Sequence, residues 1–525
     1  MPFTLFQAGT ALQVMDTSGV LTTLTLPAGV TLDSTKVPRF TVFGRYVVVV
    51  NSPTRPLTVD ADGIVRVLGL TPPGTAATTA VGNVGSLSGV FFVKYSYVVY
   101  NGAGQVIAES ELSPASSSVT LTSDMLRLTN LALSSDTISA IRLYRTTTGG
   151  STYFPWFDLE SNSQTTTEDD LADVSLSLVA APILGTPPRL THIGEFRERL
   201  WGVSRTDNGA VRYTEAGQMW SWPSTNRFVV PREGADDRGV TGILARRDAL
   251  ALARQNVLVE LKGESNASFR LVKLTSTDGQ DVGVEADDSI ATFRDTSFFL
   301  AKDGVYTWSS GGINCISDGK VRAWFTTDTY FNRSRLRYAA GRIDPLTNKY
   351  QLLLSSAGSS VLDRWVEYDI ADQTWWGPHK TDDFTPTWMT TILDSSTLPQ
   401  PVWASSAGFF YKEQATRTDG TETGIAFDVV GKSHDMQTPD IHKHFGQLSL
   451  LSKIQAAGTL SVIPYVGGLD ASAGTTISAS MTLGRERLRR VGNGRFCKLT
   501  FQHSTVAQDV ELFGYEVPFY EIGRR

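Results

Sequence analysis

The stretch RERLWGV (197–203) runs on to AVRYTEA (210–216), and 48 residues after Arg199 the same order of features returns. RRDALALA (246–253) leads to NVLVELKG (256–263), RDTSFFLA (294–301) leads to DGVYTWSS (303–310), and NKYQLLLSS (348–356) leads to DRWVEYDI (363–370). Each unit is a basic residue, a short apolar run, a turn and a second apolar strand. VWASSAGFFYKE (402–413) is a compressed sixth version, once the N-terminal hairpin described below is counted. From Arg199 to Arg247 is 48 residues, from Arg247 to Arg294 is 47, and from Arg294 to Lys349 is 55. Periods of about 40–50 residues holding several strands each are those of β-propeller blades. One such sheet cannot bury both faces alone, so the repeats must stack.

FGRYVVVVN (43–51) followed by RPLTVDADGIVRVLG (55–69) has the same grammar, but Arg45 lies 154 residues before Arg199. The surplus sits between two proline signals, LTPPG (70–74) and GTPPR (185–189). Removing 72–187 leaves roughly one blade period. An inserted domain is therefore expected there, a β-sandwich judged by its alternating strands (89–116, 140–159). Within it, SDMLRLTNLAL (123–133) is the best helix candidate of the chain, with a strand as the alternative reading. After about residue 420 the strands lengthen. The expected organisation is all-β: 1–71 first propeller blade or blades, 72–187 inserted sandwich, 188–420 remaining blades, 421–525 a C-terminal β region that closes the propeller and contacts neighbours.

Composition narrows the function classes. The 525 residues carry 47 Lys+Arg against 53 Asp+Glu, a net charge of −6, and charged residues are only 19%. A general nucleic-acid-coating surface is not expected, because phosphate binding needs a clustered basic face. Two cysteines, Cys315 and Cys497, make no disulfide framework or zinc motif and read as buried thiols. No apolar run is long enough to span a membrane as a helix. The opening MPFTLFQAGT lacks a basic region followed by an apolar one, so synthesis in a cytoplasm without export is expected.

Catalytic motifs are sparse. No phosphate loop, GxSxG elbow, HEXXH or EF-hand pattern occurs. His442 and His444 stand two apart, a spacing that puts both on one face of a strand, but no third ligand completes a metal set. KDGVYTW (302–308) and DIADQTWWG (369–377) echo the Asp-box of propeller sialidases and read more simply as blade turns. The tryptophans 201, 220, 222, 308, 324, 365, 375, 376, 388 and 403 suit either core packing or a carbohydrate platform. The one dense basic run is LGRERLRRVGNGR (483–495). Its Arg485, Arg487, Arg489, Arg490 and Arg495 read as a solvated loop, as a subunit interface or as contacts to DNA phosphates, with Arg524 and Arg525 able to join them. No catalytic residue, cofactor or metal is expected.

GEFRERLWGVSRTDNGAVRYTEAGQMWSWP (194–223) and GVTGILARRDALALARQNVLVELKG (239–263), with KHFGQLSLL (443–451), GTLSVIPYVGG (458–468) and the terminal GRR, resemble the nozzle, or tail tubular B-type, proteins of short-tailed bacteriophages. The resemblance covers residues ~190–525, and 40–70 weakly. It implies a structural protein of the virion tail, assembled in the host cytoplasm: a β-propeller with added β domains in a homohexameric ring. Such a ring docks on an adaptor ring, can carry tail fibres or spikes, and passes DNA through its lumen. The segment 72–187 resembles a fibronectin type III-like domain. A lumen that does not grip phosphates is expected to be neutral to acidic. Two alternatives stay open: a tail hub or host-binding spike with the same propeller, and a propeller glycosidase or lectin.

Overall fold

The computed structural model describes residues 3–523 except 17–18, 52, 54, 235–237, 382–383, 394–397, 413–417, 420–422, 425–426, 456–457, 469–470, 504–509 and 511. The chain is all-β, built of many small antiparallel sheets. Its helical elements are short, such as the single turn Ala323–Thr326. It divides into two compact units: residues 1–380 with 386–411, and residues 381–385 with 412–525.

Seven sheets of the first unit are meanders, in which consecutive strands pair. Sheet 1 is Phe3–Ala8, Ala11–Asp16 and Leu21–Thr23. Sheet 2 is Arg39–Phe43, Tyr46–Val50, Leu57–Val59 and Val65–Val67. Sheet 3 is Leu190–Phe196, Arg199–Ser204, Ala210–Tyr213 and Arg227–Val229. Sheet 4 is Val240–Ala245, Leu250–Arg254, Leu258–Lys262 and Arg270–Leu274. Sheet 5 is Ala286–Phe293, Thr296–Ala301, Gly304–Ser309 and Gly312–Cys315. Sheet 6 is Ala340–Asp344, Lys349–Leu354, Arg364–Asp369 and Thr374–His379. Sheet 7 is Pro386–Leu393, Pro399–Ser405 and Phe410–Lys412.

The second strands read as unbroken apolar runs because both their faces are covered. Alternate residues of one strand enter two different cores. Val49 packs with Leu12 of sheet 1, whereas Val48 and Val50 pack with Leu190 and Leu200 of sheet 3. Trp201 and Val203 of sheet 3 share a core with Leu250 and Leu252 of sheet 4. Ala251 and Ala253 meet Phe299 and Trp308 of sheet 5, and Phe298 and Leu300 meet Tyr350 and Leu352 of sheet 6. Arg342 of sheet 6 donates to the carbonyls of Thr390 and Val402 of sheet 7, at 2.8 and 2.9 Å. Phe410 of sheet 7 meets Phe6 of sheet 1 edge to face, centroids 5.3 Å apart. The contacts thus run from sheet 1 to sheet 7 and back to sheet 1.

The basic residue at the head of each repeat now has a place. Arg197, Glu198 and Arg294 occupy the two-residue turns between first and second strands with φ of 53°, 56° and 52°. Positive φ at a residue with a Cβ costs about 1 kcal/mol. Each of these arginines lays its guanidinium on the preceding phenylalanine, Phe196 or Phe293, at 5.1 Å, which offsets part of that cost.

Between sheets 2 and 3 the chain builds two further sheets. One has the order Val106–Glu109, Val93–Tyr100, Ala140–Thr146, Tyr153–Leu159, and the other Thr167–Asp169, Val119–Thr129, Thr78–Phe91. They enclose a core of their own, including Phe91, Tyr95, Leu121, Leu126 and Leu143. Residues 119–129 form a strand, so the helix candidate at 123–133 is not a helix: Leu121, Leu126 and Leu128 face the core on either side of register shifts. The fully buried Arg145 ties down the acidic return segment, bonding Asp169 at 2.8 Å and Asp173 at 2.5 Å. Entry and exit meet on sheet 3. A Cβ on Gly69 would lie 2.7 Å from the Pro187 ring, and one on Gly185 would lie 2.0 Å from the Trp222 carbonyl oxygen.

The second unit is a pair of sheets around Phe445, Leu450, Leu460, Val462, Leu499 and Phe501. One has the order Phe427–Val430, Phe496–His503, Thr459–Gly467, Ile477–Ser480. The other centres on His442–Ser452, with Arg485–Gly494 on one side and Leu512–Glu516 and Phe519–Gly523 on the other. The C-terminal region was expected to close the propeller. Among the described residues its last strands hydrogen-bond inside the second unit, and it is sheet 1 that stands between sheets 7 and 2.

The meeting of Gly69 and Pro187 yields a test. Replacing 72–187 with a short Gly/Ser bridge should leave a chain that melts cooperatively with a β-type circular dichroism spectrum. The excised 70–187 segment should show its own transition. Loss of cooperative melting in both would refute a self-contained core.

Candidate functional site

Within the arginine run 483–495, residues Arg485–Gly494 form a strand with a bulge. Arg485, Arg487 and Arg490 stand opposite Leu451, Ser449 and Gln447 of the neighbouring strand. The three-residue step from 487 to 490 against the two-residue step from 449 to 447 inserts one extra residue. Without it, Arg490 would share the inward face of Leu488; with it, Leu488 is buried and Arg490 is exposed. Arg485 pairs with Glu516 at 3.0 Å, both exposed, and Arg489 donates to the Thr476 carbonyl at 2.9 Å. Arg487 and Arg490 are exposed and have no ion-pair partner among the described residues. Arg495 lies beyond the strand end and is half-buried. Arg524 and Arg525 fall outside the described residues. The strand is an edge of its sheet, and the arginines line it.

A second cluster forms where no motif pointed. Arg39 of sheet 2, His192 of sheet 3 and Asp287 and Asp288 of sheet 5 converge, although Arg39 and Asp287 are 248 residues apart. Arg39 bonds Asp287 at 2.6 Å and also reaches Asp288. His192 Nε2 lies 3.0 Å from the same Asp287 oxygen. All four lie on first strands. Register shifts after Leu190 and after Ala286 re-aim His192 and the Asp287–Asp288 pair. Burial opposes ionisation of Asp287, but the His192 hydrogen bond and the Arg39 charge overcome it and hold its carboxyl well below the usual range. Asp288 is pushed up to about 7 by burial and by the neighbouring Asp287 charge, against the pull of Arg39. The cluster is a clamp across the sheets: its charges are spent on one another.

The remaining expected positions are scattered. His444 bonds Asn493 and lies tilted against the Tyr520 ring at 4.8 Å, while the Lys443 ammonium is capped by backbone carbonyls, including that of Ile441 at 2.9 Å. No group of three or more His, Cys, Asp or Glu residues placed to hold a metal occurs among the described residues. Cys315 is half-buried and bonds Ser317. Cys497 is buried, its thiol pushed up to about 11 by burial, beside a cavity of about 290 Å³ lined by His434, Met436 and Tyr515. KDGVYTW spans the turn between the second and third strands of sheet 5, where Asp303 accepts from Tyr306 and Arg322. DIADQTWWG spans the last turn of sheet 6. Trp201, Trp222 and Trp308 are fully buried packing residues, whereas Trp376 is 54% exposed. Among the described residues no helix is long and apolar enough to cross a membrane.

No protein-family model matches the chain, and no curated protein does. Among solved structures it is similar to PorZ, a surface component of the type-IX secretion system of Porphyromonas gingivalis, at 12% identity over 78% of this chain and 56% of that one, TM-score 0.22. It is also similar to the tricorn protease at 9% identity over 81% of this chain and 45% of that one, TM-score 0.19. The chain spans about half the length of each.

The clamp makes stability pH-dependent in two opposed ways. The raised Asp288 favours the fold most at low pH and loses that contribution as pH rises through about 7. The lowered Asp287 contributes above the unfolded carboxyl range and is lost only in strong acid. Asp288→Asn should therefore raise the melting temperature at pH 8 and flatten its change between pH 6 and 8. Asp287→Asn should cost about 1–3 kcal/mol at pH 8, because it replaces the charged acceptor of Arg39 and His192 with a neutral one. Identical pH profiles for the two variants would overturn the assignment.

Proposed function

We propose that the chain is a structural protein of a bacteriophage tail, a subunit of the nozzle ring through which the genome leaves a short-tailed phage. In this reading the seven sheets are the blades of a β-propeller. The 72–187 segment is a fibronectin type III-like sandwich; its seven strands in two sheets around a private core suit that class.

The observation that carries the reading is the arginine edge. An exposed strand edge is a template for indiscriminate pairing, and charge is the usual guard against it. Guarding alone is served by lysine, which hydrates strongly and binds without fixed geometry. This edge carries arginines, whose planar forks suit carboxylates at a subunit contact. Arg487 and Arg490 are free to take acids on a neighbouring copy. The segments that resemble nozzle proteins supply the hairpins of sheets 3 and 4 and the strands at 442–452 and 459–467. An adaptor ring as the docking partner, and DNA as the passenger of the lumen, belong to the same proposal.

Negative-stain imaging of the purified full chain should show rings of six around a pore. Charge reversal of Arg487, Arg489 and Arg490 together should leave the melting temperature within a few degrees while rings give way to monomers. Rings formed normally by that variant would remove the arginine edge from the contact. Monomeric wild-type protein that hydrolyses glycosides would overturn the nozzle reading altogether.

A further inference from the structure

The sheet that carries the arginine strand has two borders of opposite character. Arg485–Gly494 forms one, His442–Ser452 runs through the centre, and Leu512–Glu516 with Phe519–Gly523 forms the other. Residues 483–495 hold five arginines against Glu486 alone, whereas 510–523 hold Glu511, Glu516 and Glu521 with no Lys or Arg. The acidic border is also aromatic. Phe513, Tyr515, Phe519 and Tyr520 are exposed along it, with Ile522 beside them. Register puts members of both borders in shared rows: Arg487 and Glu516 both stand opposite Ser449, and Asn493 and Tyr520 both stand opposite His444. Directly opposed residues share a face, so Arg487, Glu516 and Tyr520 lie on the face turned away from the buried Phe445 and Leu450.

Within one chain the two borders barely satisfy each other. Arg485 alone reaches across, to Glu516 at 3.0 Å, and a pair so exposed contributes little. A carboxylate can also accept from a second guanidinium. Glu521 takes a hydrogen bond from the Thr438 hydroxyl at 3.0 Å and has no cation beside it among the described residues. Tyr520 has His444 tilted against its ring at 4.8 Å and is still 60% exposed. Neither border is a straight template for strand addition: the bulge bends the basic one, and Pro518 parts the two strands of the acidic one. What both offer is side chains. The fold already joins its sheets with this chemistry, laying Arg246 on Trp308 at 4.2 Å and Arg342 on Trp403 at 4.8 Å.

We propose that the basic border of one copy seats on the acidic, aromatic border of a second copy, with Arg487 and Arg490 over exposed rings such as Tyr520 and against Glu516 and Glu521. The inference rests on the nozzle reading for one point, that these arginines meet a neighbouring copy, and it names the surface they meet. Charge decides the orientation. Two basic borders repel each other, as do two acidic ones, so a two-fold contact of either border with itself is disfavoured. The contact is therefore heterologous: each copy gives its basic border to one neighbour and its acidic border to the other. Repetition of such a contact closes a ring when the rotation between copies allows it. Arginine and tyrosine are also the residues on which association energy concentrates.

The test uses the full chain in analytical ultracentrifugation over a concentration series, with a melting curve for each variant to confirm folding. Wild-type protein should associate beyond the dimer. An arginine variant, Arg487→Glu with Arg490→Glu, should stay monomeric. So should a border variant, Glu516→Gln with Tyr520→Ala and Glu521→Gln. An equimolar mixture of the two should form dimers and nothing larger, because it holds one intact border of each kind. Tyr520→Ala alone should weaken association about tenfold or more. A border variant that associates like the wild type, beside a monomeric arginine variant, would overturn this pairing and leave the arginine contact of the nozzle reading standing. A mixture that remains monomeric would also overturn the pairing. Normal association of the arginine variant, or wild-type protein that is monomeric at every concentration, would overturn the pairing and the arginine contact together.

Discussion

A small antiparallel sheet with two apolar faces cannot stand in water by itself. Each face must be covered, and in this chain each is covered by the next copy of the same device. That requirement explains why the second strands are unbroken apolar runs: Val48 and Val50 serve one core while Val49 serves another. It also explains why the contact series returns to its start, since an open series would leave one apolar face bare at each end. Truncating a wedge such as Trp201, fully buried and stacked on Tyr213 at 4.6 Å, strips two sheets of one contact surface at once.

Arginines recur where neighbouring sheets meet. Arg199 of sheet 3 lies on Phe269 at 5.7 Å, next to the fourth strand of sheet 4. Arg246, in the first turn of sheet 4, lies on Trp308 of sheet 5 at 4.2 Å, and Arg342 of sheet 6 lies on Trp403 of sheet 7 at 4.8 Å. Each places a planar cation over the aromatic of the sheet that follows, where it adds attraction without needing a dry core. The fastening matters most between sheets 6 and 7, where Arg342 also bonds two backbone carbonyls. The clamp of Arg39, His192, Asp287 and Asp288 acts at a different place, on first strands that are not consecutive in the series.

What the sequence disclosed follows from the same physics. The hairpins of sheets 2 to 7 were legible because two-sided burial writes long β-branched and aromatic runs. Sheet 1 was not, because its strands are mostly half-exposed, and LTT at 21–23 has no buried residue. The helix candidate at 123–133 misled because register shifts in the 119–129 strand break the two-residue alternation into spacings that mimic a turn of helix. The arginine run allowed a loop among its readings for a related reason: the bulge puts two adjacent arginines on a strand that elsewhere alternates. The clamp could not be read at all. Its members share no local pattern, and bulges, which leave little trace in a sequence, aim them.

The two arginine sets differ in what their surroundings leave them to do. Arg39, Arg145 and Arg342 have carboxylates, carbonyls or an amide within hydrogen-bond reach, so their charge is satisfied inside the fold and they act as fasteners. Arg487 and Arg490 sit on a strand whose inward neighbours, Leu488 and Val491, already secure it to the core. Their side chains add nothing visible to the stability of that sheet. In a chain whose charged residues are only 19% of the whole, two unspent guanidinium groups held side by side by a bulge are better accounted for by a partner than by the fold. The bulge is the decisive element: without it Arg490 would turn toward Leu488 and the core, and the outward face would lose one of its two open forks.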